Sequence, residues 1–168
     1  MPDITRRLAR LRVPLGFAFG VFVFLLARPT RTTLAWGLGV AAIGEAIRLW
    51  AAGHVEKGRE VTSSGPYRWT RHPLYVGSIV IGVGLAIVCN SSVVAAIVLT
   101  YLALTLTAAV RTEEAWLRAT FGAQYDAYCA GRTVQRRFSM ARAMRRNREY
   151  RTLGGLLLAA LLLALKIS

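Results

Sequence analysis

The apolar residues of this chain come in long blocks, and arginine-rich segments lie between the blocks. A helix that crosses a hydrocarbon core of about 30 Å needs roughly 20 apolar residues, or fewer where flanking arginines reach the headgroups. This pattern predicts an all-α, polytopic helical membrane protein with about five transmembrane helices. The five apolar blocks are Val13–Ala27, Thr33–Ala52, Leu74–Cys89, Ser91–Val110 and Leu153–Leu165.

The first and last blocks are the two shortest. Val13–Ala27 begins like a secretory signal, but no small-x-small cleavage motif follows it, so we interpret it as an uncleaved first helix. Leu153–Leu165 either just spans the membrane or is re-entrant. The third and fourth blocks are separated only by the turn around Asn90, which predicts a tight helical hairpin.

Composition and charge agree with a membrane location. The 168 residues are 55% hydrophobic and carry a formal net charge of +14. A soluble domain of this length would be less apolar, with its charges interspersed. Basic residues concentrate on the inner side when the N-terminus is placed inside. We therefore expect one domain, residues 1–168, integral to the cytoplasmic membrane, with its N-terminus and the polar segment between the second and third blocks facing the cytoplasm.

Two polar segments, Gly53–Pro73 and Arg111–Arg151, remain between the predicted spans. The helical hairpin between them returns the chain to the face of the membrane that it left. Both segments are therefore expected on the same side, and a water-accessible site has to be assembled from them.

The first half of this predicted site is the stretch "GPYRWTRHPLYVG", residues 65–77. Pro73 is suited to the first position of a helix, whose free N–H groups and positive dipole end attract an anion. Arg71 and His72 add donors just before it, and Tyr75 offers a ring face to a cation. The alternative is that the arginines and Trp69 serve only as membrane-edge anchors.

The second half is Arg111-Thr112-Glu113-Glu114 at the inner end of the fourth predicted helix. Acidic residues are unfavourable beside an anionic leaflet, so a functional role is indicated. One carboxylate would accept hydrogen bonds from ribose hydroxyls or orient an acceptor, with Arg111 screening its charge. The alternative is a structural ion pair between Glu114 and Arg118 at i, i+4.

Glu45 and Arg48 are ionisable residues within the second block, three positions apart. Such residues usually line a cavity. Because Arg48 lies near the inner end of the block, simple snorkelling is the favoured account for its side chain, whereas Glu45 remains unexplained.

The arginine-rich segment 132–151 has apolar residues at helical spacing, and it predicts a basic interfacial helix on an anionic leaflet. A C-terminal hydrophobic helix, 153–167, follows. Nucleic-acid binding is disfavoured because the segment adjoins membrane spans and lacks an aromatic stacking set. Cys89 and Cys129 fall in different blocks and suggest neither a disulfide framework nor a metal site.

The segments "VTSSGPYRWTRHPLYVG" and "RTEEAWLRATFGAQYDAY" together resemble the integral-membrane methyltransferases of the isoprenylcysteine carboxyl methyltransferase and phospholipid methyltransferase group. The shared pattern is a glycine-proline-tyrosine turn, R-H-P-x-Y-x-G, a helical hairpin, a glutamate pair, and F-G-x-x-Y followed by a further tyrosine. The resemblance covers about residues 57–128, which would form the family core.

The resemblance implies an S-adenosylmethionine site at the cytoplasmic membrane face. The residues expected to contact this cofactor are Arg71, His72, Tyr75, Gly77 and Glu113. One residue of the glutamate pair would bind the cofactor and the other would support transfer, and the sequence does not distinguish them. The working assignment gives Glu113 to the cofactor and Glu114, with Arg111, to catalysis.

The function implied is methyl transfer to a lipidic or amphipathic acceptor, at a carboxylate, an amine or a thiol, with membrane lipids as the partners. The reaction requires no metal. One alternative is an NADPH-dependent membrane reductase of the sterol-reductase type, because such enzymes share R-H-P-x-Y-x-G. The glutamate pair argues against it, since carboxylates sit poorly beside a polyphosphate. A non-enzymatic membrane scaffold would leave the polar cluster unexplained.

Overall fold

The computed structural model describes residues 20–167, and all regular structure in this range is helical. Residues 20–26 form α1, and the earlier part of the predicted helix Val13–Ala27 lies outside the described residues. The longer elements are α2 (Arg31–Ala52), α3 (Pro73–Cys89), α4 (Ser92–Phe121), α5 (Ala123–Cys129) and α6 (Tyr150–Leu165), with a 3₁₀ turn at Gly65–Arg68 and a π-helical turn at Arg142–Arg146.

Two helices, α2 and α4, are long and apolar enough to cross a membrane. The helices α3 and α6 are apolar but shorter, with 17 and 16 residues. The all-α class is therefore confirmed for the described part of the chain, and the count of five spans stays a prediction.

The predicted hairpin between the third and fourth blocks is present. Pro73 is the first residue of α3, and the helix ends at Cys89. Asn90 adopts the left-handed conformation, with φ 47°, which a short polar side chain tolerates well. The Ser91 side chain then accepts a hydrogen bond from the backbone N–H of Val94 and caps α4.

Glycines allow α2 and α3 to pack with their backbones in contact. A Cβ atom on Gly84 of α3 would lie 2.6 Å from the carbonyl oxygen of Gly37 in α2. About two helical turns further along, a Cβ atom on Gly44 would lie 2.7 Å from the carbonyl oxygen of Gly77. Small residues at such positions are what permits close helix approach in a membrane, so these two helices form the rigid centre of the fold.

Helix α4 packs quite differently, because Val94 is its only buried residue. It also continues beyond the predicted end of its apolar block at Val110, as far as Phe121. A turn at Gly122, with φ 43°, then leads into α5. The acidic pair 113–114 therefore lies on a helix that is continuous with the apolar block.

The interfacial helix predicted over 132–151 is wrong. Residues 132–139 have no helical structure, and a π-helical turn follows at Arg142–Arg146. The segment instead bonds to the loop between α2 and α3: the backbone N–H of Ser139 donates to the carbonyl of Gly53 at 3.1 Å. Its arginines pair with Glu56 of that loop. These long-range contacts replace the local hydrogen bonds of a helix.

Arg48 does not snorkel to the membrane surface. Its Nη2 atom lies 3.0 and 2.9 Å from the two carboxylate oxygens of Glu149, which is only 2% exposed. Its Nη1 atom donates to the Ser78 hydroxyl at 2.6 Å. Glu45 is also buried, 3.9 Å from Arg48 Nε, and its oxygens accept no hydrogen bond from the described residues. This network fastens the start of α6 to α2 and α3.

Candidate active site

The two polar segments meet at a cavity of about 260 Å³. One wall is the loop between α2 and α3, and the other is formed by the last turns of α4 together with α5. We call it the Glu113 cavity. Its polar and aromatic lining consists of Lys57, Glu60, Thr62, Tyr67, Arg71, His72, Glu113, Trp116, Tyr125 and Tyr128. The meeting of these segments agrees with the expectation from the helical hairpin.

His72 lies between the two carboxylates of the glutamate pair. Its Nε2 atom is 3.0 Å from Oε1 of Glu114, and its Nδ1 atom is 3.8 Å from Oε2 of Glu113. The carboxylate of Glu113, and after it that of Glu114, raises the pKa of His72 above its ordinary value, although burial acts in the opposite direction. The arrangement therefore favours an imidazolium that joins the start of α3 to the end of α4.

Tyr75 and Arg71 complete the surroundings of this imidazole. The ring of Tyr75 stacks on that of His72 with centroids 5.6 Å apart and an interplanar angle of 18°. Arg71 Nη1 lies 3.4 Å from the same Glu114 oxygen that faces His72. It also approaches the Cys129 sulfur at 3.9 Å. Glu114 thus receives two cationic groups and is held in one position.

Two tyrosines of α5 form the floor of the cavity. The Tyr128 hydroxyl donates to the carbonyl of Tyr67 at 2.7 Å and ties α5 to the 3₁₀ turn. Burial raises the pKa of Tyr128 to about 12, so this hydroxyl stays protonated as a donor. Tyr125 is fully buried beside Arg71, yet its hydroxyl makes no hydrogen bond of regular geometry within the described residues. That hydroxyl lies buried next to the cavity, beside Arg71.

Most of the residues predicted for the site are brought together. Those that line the cavity or contact His72 directly are Arg71, His72, Tyr75, Glu113 and Glu114. The alternative interpretation, an ion pair between Glu114 and Arg118 at i, i+4, is not supported: Glu114 faces His72, and Arg118 lies 3.8 Å from Asp126.

The structure does not bring Gly77 and Arg111 to the cavity. A Cβ atom on Gly77 would lie 2.5 Å from Cγ of Arg48, so this glycine serves the contact between α3 and α2. Arg111 is exposed on α4 and is not part of the cavity lining. The sequence could not separate these roles, because a small residue suits close helix packing as well as close approach to a ligand.

Sequence reasoning missed several lining residues. Trp116 and Leu117 follow Glu113 at i+3 and i+4, so helical spacing would have placed them on the same face. Tyr125 and Tyr128 are the tyrosines that follow Phe121-Gly122. Lys57, Glu60 and Thr62, in contrast, belong to an irregular loop with no periodic signal.

Comparison with known proteins supports the family resemblance seen in the sequence. The family model described as phospholipid methyltransferase matches residues 15–124. The cobalt-zinc-cadmium resistance protein CzcN of Cupriavidus metallidurans is 36% identical over 87 residues, which are 51% of this chain and 39% of that protein. The nickel-cobalt-cadmium resistance protein NccN of Alcaligenes xylosoxydans xylosoxydans is 37% identical over 94 residues, 55% of this chain and 42% of that protein.

The matched region thus spans about two-fifths of each of these curated relatives. No solved structure matches the chain. The family and the two long apolar helices together make this chain a membrane protein.

Proposed function

The chain belongs to the phospholipid methyltransferase family, and we propose that it transfers a methyl group from S-adenosylmethionine to a lipidic or amphipathic acceptor at the membrane surface. The observation that carries this proposal is the position of the Glu113 cavity. It holds a histidine between two carboxylates, at the end of a helix whose apolar side chains are exposed along nearly its whole length.

The lining of the cavity suits this cofactor. S-adenosylmethionine supplies a methyl group that its sulfonium makes electrophilic. Glu113 would accept hydrogen bonds from ribose hydroxyls, and the rings of Tyr67 and Trp116 would receive the adenine or face the cation. The Tyr125 hydroxyl has a free hydrogen-bonding position. The volume of about 260 Å³ lies just under the usual range of ~300–1,000 Å³ for ligand pockets, so such a ligand would fill the cavity and reach its opening.

The protein groups act by positioning and by excluding water, which are the main requirements of methyl transfer. The imidazolium of His72 and the guanidinium of Arg71 hold Glu114, which remains partly exposed. A carboxylate acceptor would need no base, whereas an amine or thiol would have to lose a proton, for which Glu114 is the proposed base. The predicted catalytic role of Arg111 stays a prediction.

We propose that the acceptor enters sideways from the lipid, along α4. This helix leaves large apolar residues such as Leu99 and Leu104 exposed, and in a bilayer such a surface lies against acyl chains. Its polar end carries Glu113 and Glu114. Orientation follows from the arginines, which favour a cavity on the cytoplasmic side of the inner membrane and a multi-pass chain of about five spans.

The rival reductase reading is less well supported by the same lining. Lys57 and Arg71 would suit the phosphates of NADPH, but the carboxylates of Glu60 and Glu113 line the same small space and would repel them. A scaffold without activity would give no reason for a histidine between two carboxylates to line a cavity together with Lys57 and Arg71.

The proposal is tested by transfer of a radiolabelled methyl group. The full chain in lipid nanodiscs is incubated with S-adenosylmethionine and, separately, with phosphatidylethanolamine, a long-chain fatty acid and an alkyl thiol, and label extracted into organic solvent is counted. We expect label in one acceptor, reduced at least 100-fold by Glu114→Gln. Asp126→Asn, which alters an exposed carboxylate outside the cavity, is the matched control. Absence of label from all three acceptors and from a total membrane-lipid extract would count against the proposal.

A further inference from the structure

The wall of the Glu113 cavity that faces α4 is an irregular loop, residues 53–64. Five of its side chains line the cavity, those of Val55, Lys57, Glu60, Val61 and Thr62. The loop has no strand or helix to fix its shape. The conformation of the loop therefore depends on the residues that bind it on the side away from the cavity.

The segment that binds the loop there is residues 132–147, which we call the arginine strap. It follows residues 15–124, the region that matches the family model. The strap is bonded to both ends of the loop. The Asn147 amide donates to the carbonyls of Ala52 and Val55 at 2.7 and 3.1 Å. At the far end, the backbone N–H of Val134 donates to the Ser63 hydroxyl at 2.8 Å.

Glu56 is the centre of these contacts. Its side chain is only 12% exposed, and its carboxylate lies 2.9 Å from Arg142 Nε, 2.7 Å from Arg146 Nη1 and 3.3 Å from Arg136 Nη1. Glu56 is not part of the cavity lining, but its chain neighbours Val55 and Lys57 both are. One carboxylate thus gathers three guanidinium groups on the outer side of the cavity wall.

The strap also reaches a residue of the cavity itself. Arg136 Nη2 lies 2.7 Å from Oε2 of Glu60, and Glu60 lines the cavity. Arg136 therefore joins Glu56 to Glu60 across the loop. Loss of the Glu56 charge would leave three cations close together, and their repulsion would move the strap and Glu60 with it.

We propose that the arginine strap is a positioning device for the Glu113 cavity, and that Glu56 is the positioning residue through which it acts. The inference deepens the proposed function, since the ligand it concerns is the S-adenosyl cofactor. The strap sets the shape of the loop wall, and so the cavity is built from residues on both sides of the family-matched boundary at residue 124.

The test uses the full-length protein in detergent and two readouts. Calorimetry gives the Kd of S-adenosylhomocysteine, and hydrogen–deuterium exchange follows residues 53–64 without any ligand. For Glu56→Gln we expect the Kd to rise about tenfold or more, with faster exchange confined to the loop and the strap. Glu56→Asp should recover part of the affinity. Asp126→Asn, which removes an exposed carboxylate that pairs with Arg118, should bind as wild type.

Wild-type affinity in Glu56→Gln would overturn the proposal and leave the strap as a purely structural element. Failure of the wild type to bind S-adenosylhomocysteine would contradict the proposed function. The role of the strap would then be tested by hydrogen–deuterium exchange alone. Equal exchange of residues 53–64 in the wild type and in Glu56→Gln would overturn its positioning role. If Glu56→Gln does not fold, Arg146→Gln removes one of the three guanidinium groups. It should raise the Kd about threefold, and an unchanged Kd would again overturn the inference.

Discussion

Helix α3 packs against α2 on one side and against α4 on the other, and these two contacts differ in kind. Towards α2, glycines bring the backbones together, and a Cβ atom on Gly84 or Gly44 would overlap the partner helix. Towards α4, the contact is made by side chains, with Leu102 of α4 against Gly82 of α3, and Val94 is the only buried residue of α4. The first contact gives a rigid support, whereas the second leaves a long apolar helix open to its surroundings.

The candidate site lies where these two kinds of packing meet. His72 precedes α3, the rigid partner, and Glu114 belongs to α4, the open one, with 3.0 Å between Nε2 and Oε1. A site that must hold a polar ligand and also admit a lipidic one requires both properties. The contrast between the two contacts therefore supports the proposed membrane methyltransferase, and it is open to experiment.

The largest effect is expected from breaking the rigid contact. Gly84→Leu would place atoms where the carbonyl of Gly37 and the backbone of Ala41 now lie, at about 2.6 Å from the new Cβ. Because backbone cannot give way as a side chain can, we expect loss of folded, monodisperse protein. Fluorescence-detected size-exclusion chromatography measures the folded yield.

Gly39→Leu is the matched control for that variant, since a Cβ atom at Gly39 would meet nothing within 4 Å. It should give a yield close to wild type. Equal yields of the Gly84 and Gly39 variants would mean that α2 and α3 do not approach as closely as described.

The next effect concerns the buried ion pair that fastens α6 to this rigid support. Glu149→Gln removes the carboxylate whose two oxygens face the Arg48 guanidinium, and leaves only Glu45, at 3.9 Å from Arg48 Nε, as an acidic neighbour. Removing one partner of a buried pair costs about 3–5 kcal/mol, so the free energy of unfolding should fall by that order. Chemical unfolding in detergent measures it. Arg48→Met combined with Glu149→Leu should recover much of the loss, and a double variant as unstable as Glu149→Gln would contradict the assignment.

A smaller effect on stability is expected from a change of pH, because the contact between His72, which precedes α3, and Glu114 of α4 depends on the protonation of His72. The pKa of His72 is raised in the folded protein. The stabilisation by its imidazolium should be fully present below its unfolded pKa of about 6.5 and lost as the pH rises through the folded value. The Tm of the wild type should therefore fall relative to that of His72→Gln as the pH rises above about 6.5. Parallel Tm curves for the two proteins would show that His72 is not paired.

The smallest effect is expected on the open side. Leu104 is 69% exposed on α4, so Leu104→Ala removes no internal contact and should change the free energy of unfolding by less than about 0.5 kcal/mol. The same chemical unfolding experiment measures it. A loss of 2 kcal/mol or more, the range for a buried leucine, would mean that α4 is packed against protein.

The parts of the structure that could be predicted from the sequence are those that single residues or short stretches of chain determine. Pro73 and Asn90 each fix a backbone conformation by themselves, so the limits of α3 and the hairpin were predictable. The meeting of the two polar segments that carry His72 and the glutamates followed from the hairpin, which returns the chain to the same face, whereas the contact of His72 with Glu114 was not predicted.

The arginine strap could not be predicted in this way. Its apolar residues have helical spacing, which predicted a helix. The acidic partner of its arginines, Glu56, lies 86 residues before Arg142, and a local pattern carries no information about so distant a contact. Arg48 shows the same difficulty, because the carboxylate that prevents its snorkelling, Glu149, is 101 residues away. Local periodicity thus predicted the apolar helices, but it failed for the arginine strap, whose shape depends on long-range ion pairs.

The central claim is that the Glu113 cavity binds an S-adenosyl ligand, and calorimetry of the detergent-purified full chain tests it most directly. S-adenosylhomocysteine and NADPH are titrated separately into the wild type, His72→Ala and Glu114→Gln. We predict saturable binding of S-adenosylhomocysteine to the wild type, lost in both variants, and no binding of NADPH. Binding of NADPH alone would contradict the account and favour the reductase, and binding of neither would leave the cavity without the proposed role.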